Sequence, residues 1–331
     1  MDLNNKKVII SRTDSIGDVL LTLPICAWLK EKFPTVEIIF LGKGYTRPIV
    51  EAYSKVDQFI DWNDFINTPK AEKKINFREL NADAILHVYP NKEIAALAKS
   101  ARIPVRVGTS HKAYHLLTCS HRLNFTRRKS NLHESQLNHE LLRPFGLTKL
   151  PDLQKVTETT RFLSVPEVSL PKKFASLENF TILHPKSQGS AKEWPLEKHM
   201  QLAKKMADKG EVVVFTGSDA EGAQIRGHIP SHTNIIDTTG KLTLEQLMLV
   251  ISKAKNLVAC STGPLHIASF YGVNTVGLYS PKRPIHPGRW KAIGKHVQIL
   301  VFDENCPTCK EGNNCDCILD IEIEKVEEKL I

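Results

Sequence analysis

The sequence predicts two consecutive α/β domains, each built on a parallel sheet, and three observations lead there. The chain has 331 residues, too long for one ordinary core and about right for two domains of roughly 150 residues each. Apolar strand patterns alternate with helical ones, as in parallel sheets wound by right-handed crossovers. The alternation pauses at a polar, Pro-punctuated stretch, Thr157–Lys172, and then restarts, which makes 1–160 and 161–331 the expected domains.

In the first half, Val8-Ile9-Ile10 reads as a buried strand, followed by the polar turn Ser11–Asp18. Val19, Leu20, Leu23, Ala27 and Leu29 recur at helical spacing, and Phe33-Pro34 ends that helix. Val36–Leu41, Gln58–Ile60, Ala84–Val88 and Val105–Val107 are further strands, with helical patterns between them. In the second half, strands are expected at Phe180–His184, Glu211–Phe215, Asn234–Asp237, Asn256–Ala259 and Thr275–Tyr279. Helices are expected over 196–208 and 244–253, and starting at Ala220 and Pro264. Ligands of such sheets bind beyond the carboxyl ends of the strands, so the loops there, across an interdomain cleft, carry the functional reading.

Composition narrows the class. At 41% apolar and 24% charged the chain reads as a soluble globular protein, neither disordered nor fibrous. It has no apolar run of membrane-spanning length, and its first ten residues lack a signal-peptide pattern, so a cytoplasmic location is expected. The net charge of +9 favours polyanionic partners: phosphorylated substrates, an anionic membrane face or nucleic acid. Seven cysteines make no disulfide framework and imply a reducing compartment.

Four loops could carry chemistry. In Ser15-Ile16-Gly17-Asp18, Asp18 is either a helix N-cap or a carboxylate serving as general base. The loop 187–195, with Ser187, Gln188 and Lys192, could hold a diphosphate on backbone amides and one cation, and lacks the Walker spacing. In 216–221, Asp219 or Glu221 could accept ribose hydroxyl bonds or simply complement a helix dipole. Ser261-Thr262-Gly263-Pro264-Leu265-His266 turns tightly into a helix with Pro264 near its start, and His266 falls in the first turn. Together the loops describe a nucleotide-diphosphate site and a carboxylate.

Two further features stand apart. Residues 94–133 contain no acid and eight cations: Lys99, Arg102, Arg106, Lys112, Arg122, Arg127, Arg128 and Lys129. This stretch suits an anionic acceptor or membrane face, with a merely solvated surface as the alternative. Nucleic acid is disfavoured, because no RNA- or DNA-binding motif accompanies the charge. Cys306, Cys309, Cys315 and Cys317 place four thiols within twelve residues, fit for a structural tetrahedral Zn²⁺ or left as reduced free thiols.

Taken in order, Ser11–Pro24, Lys192-Glu193-Trp194-Pro195 and Ser261–Ala268 resemble motifs of the lipopolysaccharide heptosyltransferases, glycosyltransferase family 9, as do 138–147 and 317–321. The resemblance implies a GT-B fold, two Rossmann-like domains facing across a cleft, with an acceptor-side N-terminal domain and a nucleotide-sugar-binding C-terminal one. It implies inverting transfer without a metal or other catalytic cofactor, typically of heptose from ADP-heptose to an inner-core glycolipid. By position Asp18 is the implied base, Ser187, Gln188 and Lys192 the diphosphate loop, and Glu221 the acid near the donor ribose. Ser261, Thr262, Gly263 and His266 fall on the donor turn. Many members have Asp where this chain has Ser261, which bears on the identity of the donor sugar. Arg102, Arg106, Arg127, Arg128 and Lys129 are expected on the acceptor or membrane side.

The expected protein is therefore a cytoplasmic bacterial glycosyltransferase, peripheral at the inner face of the inner membrane. A non-catalytic sugar-nucleotide-binding protein and a nucleotide-sugar epimerase of the same shape are the alternatives.

Overall fold

The computed structural model describes residues 1–127, 130–313 and 315–331. Two compact units divide at Ser164/Val165. The division falls four residues beyond the sequence expectation because the preceding segment is pinned to the first unit. The amide of Ser54 donates to Phe162 O at 3.0 Å and that of Ser164 to Ala52 O at 2.8 Å, while the Tyr53 hydroxyl donates to Thr159 O at 3.1 Å.

The first unit holds six parallel strands: β1 Lys7–Ser11, β2 Glu37–Gly42, β3 Gln58–Asp61, β4 Ala84–His87, β5 Val105–Thr109 and β6 His121–Leu123. Their order is β3-β2-β1-β4-β5-β6. The second unit repeats the winding with β7 Phe180–His184, β8 Val212–Phe215, β9 Ile235–Asp237, β10 Asn256–Cys260, β11 Asn274–Leu278 and β12 Val297–Leu300. Its order, β12-β11-β10-β7-β8-β9, is the same topology read from the other edge. Both units are Rossmann-like, as the GT-B class requires.

The central strands are almost wholly buried because helices cover both sheet faces, which is why their middles read as apolar runs. Ile9, Ile39 and Ile85 enter the core of the first unit with Phe77, and Leu183, Val258 and Val276 that of the second with Trp194. In each sheet the winding reverses once, between β1 and β4 and between β7 and β10. These are the topological switch points, where neighbouring connections run to opposite faces and leave a crevice.

Two edge strands, β6 and β12, escape the sequence reading. β6 has only three residues, His121-Arg122-Leu123, two of them exposed, and β12 is only half-buried along its length. The helix expected across Val19–Phe33 is two helices, Ile16–Leu20 and Leu23–Lys32. Pro24 has no N–H for the carbonyl of Leu20, so the turn breaks there.

Candidate active site

At the switch point of the first unit, the chain leaves β1 through Arg12-Thr13-Asp14-Ser15 into helix 16–20. Ser15 occupies the N-cap position and Asp18 the third residue of the first turn, so Asp18 is not the cap. The Ser15 side chain makes no capping bond and instead donates to Asp18 Oδ2, while Arg12 donates through Nη2 to Oδ1. Both carboxylate oxygens are oriented, and each keeps a lone pair for a further donor. The Asp18 side chain is 18% exposed, against 3% for Arg12.

Behind Asp18 lies a closed polar ring. Arg12 Nη1 reaches Glu134 Oε1 at 3.3 Å, and Arg127 Nε donates to the same oxygen at 2.9 Å. Arg127 Nη2 donates to Asn138 Oδ1 at 3.0 Å, and Asn138 Nδ2 to Thr22 Oγ1 at 3.2 Å. Thr22 Oγ1 then donates to the backbone oxygen of Asp18 at 2.8 Å, returning to the start. Glu134 and Asn138 are fully buried. Burial works against the Arg12 charge, but Asp14, Asp18 and Glu134 together push its pKa up. Asp14 accepts from Arg12 Nε at 2.7 Å, yet burial outweighs that bond and lifts its carboxyl to about 6.

The second unit's switch point is built differently. After β7 comes the diphosphate-loop candidate, where Gln188 and Gly189 take consecutive left-handed conformations at φ 49° and 78°. Gly189 has open space where a Cβ would stand, so its requirement is backbone conformation, not room. Glu193 braces the loop from below, accepting from the Ser187 amide at 2.7 Å and its hydroxyl at 2.9 Å. Gln188 Nε2 bonds Ser218 Oγ at 3.3 Å, and Ser190 Oγ reaches Ser261 O at 3.4 Å, joining three of the expected loops. Lys192 pairs with Asp316, both well exposed.

After β10, Thr262 stands at the N-cap position of the helix Gly263–Phe270 without making a capping bond, and Pro264 falls in the first turn as expected. The Thr262 hydroxyl is buried with no hydrogen-bond partner, and His266 is buried in the same first turn. Glu221 is spent differently from the ribose reading. Its Oε2 accepts from the Ser218 amide at 2.7 Å and the Ser218 hydroxyl at 2.9 Å, closing a capping box on helix 219–225. His184, at the end of β7, bonds Thr216 Oγ1 at 2.9 Å, and its pKa is lowered by burial against the pull of Glu221 and Glu193.

The basic window is partly consumed inside the fold. Arg127 serves the buried ring, and Arg106 Nε donates to Thr118 O at 2.6 Å. Arg122 Nη1 lies 3.3 Å from Leu116 O. Arg102 is exposed at φ 62°, whereas Arg128 and Lys129 lie outside the described residues. Beside Lys112 and Arg122, both exposed, Leu116 and Leu117 are 60% and 74% exposed. The four C-terminal cysteines converge, with every Sγ within 4.8 Å of the others. No helix among the described residues is long and apolar enough to cross a membrane.

Comparison with known proteins decides the family. The sequence profile of glycosyltransferase family 9 (heptosyltransferase) matches residues 74–318. The chain belongs to that family. An Escherichia coli lipopolysaccharide heptosyltransferase 3 is 25% identical over 285 residues, covering 80% of each chain. Among solved structures, a family 9 glycosyltransferase from Veillonella parvula superposes with a TM-score of 0.78 at 21% identity, covering 99% of this chain and 97% of its own. An E. coli ADP-heptose LPS heptosyltransferase II gives 0.72 at 19% identity, covering 98% and 97%. The fold is GT-B and the protein is a glycosyltransferase. The matched stretch begins beyond Asp18, so the role of Asp18 stands on geometry and resemblance.

Sequence reading assigned no role to Arg12, Thr22, Glu134 or Asn138. One signal was present: Glu134 is the first acid after the acid-free window, where so many guanidinium groups need a partner.

Proposed function

We propose that this family 9 glycosyltransferase moves a sugar, heptose from ADP-heptose, onto an inner-core glycolipid of lipopolysaccharide, with inversion and without a metal at the reacting centre. Relatives and neighbours named for heptose transfer to lipopolysaccharide support the donor and acceptor classes. The carrying observation is Asp18: a carboxylate at a switch point, both oxygens oriented, partly open to solvent, on a buried ring that fixes its backbone.

In this reading Asp18 accepts the proton of the acceptor hydroxyl as that oxygen attacks the anomeric carbon. The nucleoside diphosphate departs from the opposite face, taking the bonding electrons. Ser187, Gln188 and Lys192 hold the diphosphate with the first-turn amides of helix 263–270, and amide donors aimed at developing charge lower the barrier. Thr262 supplies a buried hydroxyl to the donor. His266 packs at the same turn, and Ser261 meets the sugar where many relatives have a carboxylate. Glu221 orders the 216–221 loop and, through it, the ribose end. The first unit takes the acceptor. It meets the cytoplasmic leaflet with Leu116 and Leu117 inserted and Lys112, Arg122 and Arg102 near the headgroups, each cation worth about 1 kcal/mol there.

Asp18→Asn tests the reading. Turnover should fall ~10²–10⁴-fold, the span of a general base, with ADP affinity nearly unchanged. Turnover near wild type would sink the mechanism. No turnover in the wild type with any ADP-sugar and core glycolipid, despite tight ADP binding, would leave a binding module. Added Mg²⁺ or Mn²⁺ should make no difference to the rate.

A further inference from the structure

The segment 303–316 lacks an ordinary core. Among its described residues only Cys306 and Cys309 are buried, with Asp303 and Cys315 half-buried, and the three cysteines join Cys317 in a cluster made of cysteines alone. The chain enters through the one-turn helix Pro307–Lys310, reverses at Gly312 with φ 80°, and returns with Cys315 and Cys317 facing the first pair. A polar segment so arranged gains almost nothing from apolar burial and would ordinarily fray.

The sulfur geometry shows what fits. Cys306 and Cys315 Sγ are 3.4 Å apart, and Cys309 and Cys317 Sγ 3.7 Å. A disulfide would need about 2.05 Å. Four thiolates about 2.3 Å from one tetrahedral ion lie roughly 3.8 Å from each other, close to what is seen. The Cys317 amide lies 3.4 Å from Cys315 Sγ, and Ser280 Oγ lies 3.5 Å from Cys309 Sγ, the kind of donors that orient thiolate ligands.

We propose that Cys306, Cys309, Cys315 and Cys317 form a tetrathiolate site for one thiophilic, tetrahedral metal ion, Zn²⁺ or iron, which acts as a structural clip of the second unit. Ion binding releases the thiol protons to solvent and changes no oxidation state. The clip fastens a segment whose next firm anchors lie beyond it. There Trp194 Nε1 donates to Ile321 O at 2.9 Å, and Lys198 Nζ to Leu319 O at 2.6 Å. It also fixes Asp316, the ion-pair partner of Lys192.

The test uses the full chain purified under reducing conditions. Elemental analysis should find about one equivalent of zinc or iron per chain and identify which. Cobalt substitution should give the visible spectrum of a tetrahedral cobalt thiolate. Adding a strong chelator should make four further thiols reactive towards a disulfide reagent, whereas Cys26, Cys119 and Cys260 stay buried in the fold. Stripping the metal should lower the unfolding temperature, and returning it should restore it. Cys309→Ser and Cys317→Ser should lose the metal, whereas Cys119→Ala should keep it. If the serine variants do not fold, the chelator and add-back experiment on the wild type decides. No bound metal as purified and none after incubation with Zn²⁺ or Fe²⁺ would overturn the proposal. So would an intact mass showing two disulfides in freshly reduced and desalted protein.

Discussion

The two units share one winding and treat its switch point in opposite ways. In the first, the crevice floor is an ionic network in which Arg12 and Arg127 face Asp14, Asp18 and Glu134, beside a buried Ser11 hydroxyl and His87 ring that no hydrogen bond reaches. In the second, backbone amides, hydroxyls and the unsatisfied Thr262 Oγ1 stand at the strand ends, and the acids Glu193 and Glu221 are occupied as loop braces. One topology thus supplies an immobilised carboxylate in one copy and backbone and hydroxyl donors in the other, the division on which the proposed transfer would rest.

The contrast can be broken most forcefully at Glu134. Replacing it with Leu leaves two guanidinium groups facing each other in a buried place, and loss of one partner of such a network costs about 3–5 kcal/mol. Chemical denaturation should register that loss, and a change within about 0.5 kcal/mol would show the ring to be ornamental.

Asp14→Asn acts in the other direction. A carboxyl held at about 6 stays protonated in the folded protein while the unfolded chain ionises, so wild-type stability declines as pH rises towards 6. The variant should be more stable than wild type above pH 6, by at most about 3 kcal/mol, and equal to it below about pH 4. A pH series of melting curves checks the crossover.

Acid should strike both units alike. Burial lowers His139 and His199 to about 4 and His87 to about 3. Their contribution to stability is complete above the ordinary histidine range near 6.5 and drains away as pH falls towards those values. Melting temperatures should drop through that window, and a flat profile would mean that these rings find acceptors when charged.

The smallest stability effects belong to the second unit's loops. Thr262→Val should be neutral or stabilising by up to about 1 kcal/mol, since the lost hydroxyl has no partner, yet it should weaken ADP binding in calorimetry. Lys192→Ala should scarcely alter stability, because its pair with Asp316 is exposed, while ADP affinity falls far more than adenosine affinity. Equal losses for both ligands would mean that Lys192 does not meet phosphate.

Much of the fold was legible because the middles of β1, β4, β7 and β10 are buried on both faces and therefore read as short apolar runs. The edges were not: His121-Arg122-Leu123 obeys pairing to Val107-Gly108-Thr109, which leaves no trace in hydropathy. The site divided along similar lines. Asp18, Thr262 and Lys192 sit at punctuated loop positions that a sequence displays. The direct partners of Asp18, namely Arg12, Ser15 and Thr22, are local, but Glu134 and Asn138, which hold Arg12 and Thr22, come from more than a hundred residues away, and no local pattern encodes that meeting. Arg127 looks solvated within the basic stretch, yet its carboxylate, Glu134, lies just past the end of that stretch and takes it into the buried ring.

The closed ring behind Asp18 also bears on how such a protein can change over generations. A chain of bonds with a free end absorbs substitutions at that end, but a cycle has none, so a change at residue 12, 22, 127, 134 or 138 leaves two neighbours stranded at once. Viable replacements must come in concert, and double-mutant cycles around the ring should be strongly non-additive. The second unit's hydroxyls and amides are exchanged one at a time. Diversification among proteins built like this one should therefore run through the second unit's loops, with the carboxylate of Asp18 as the inherited constant.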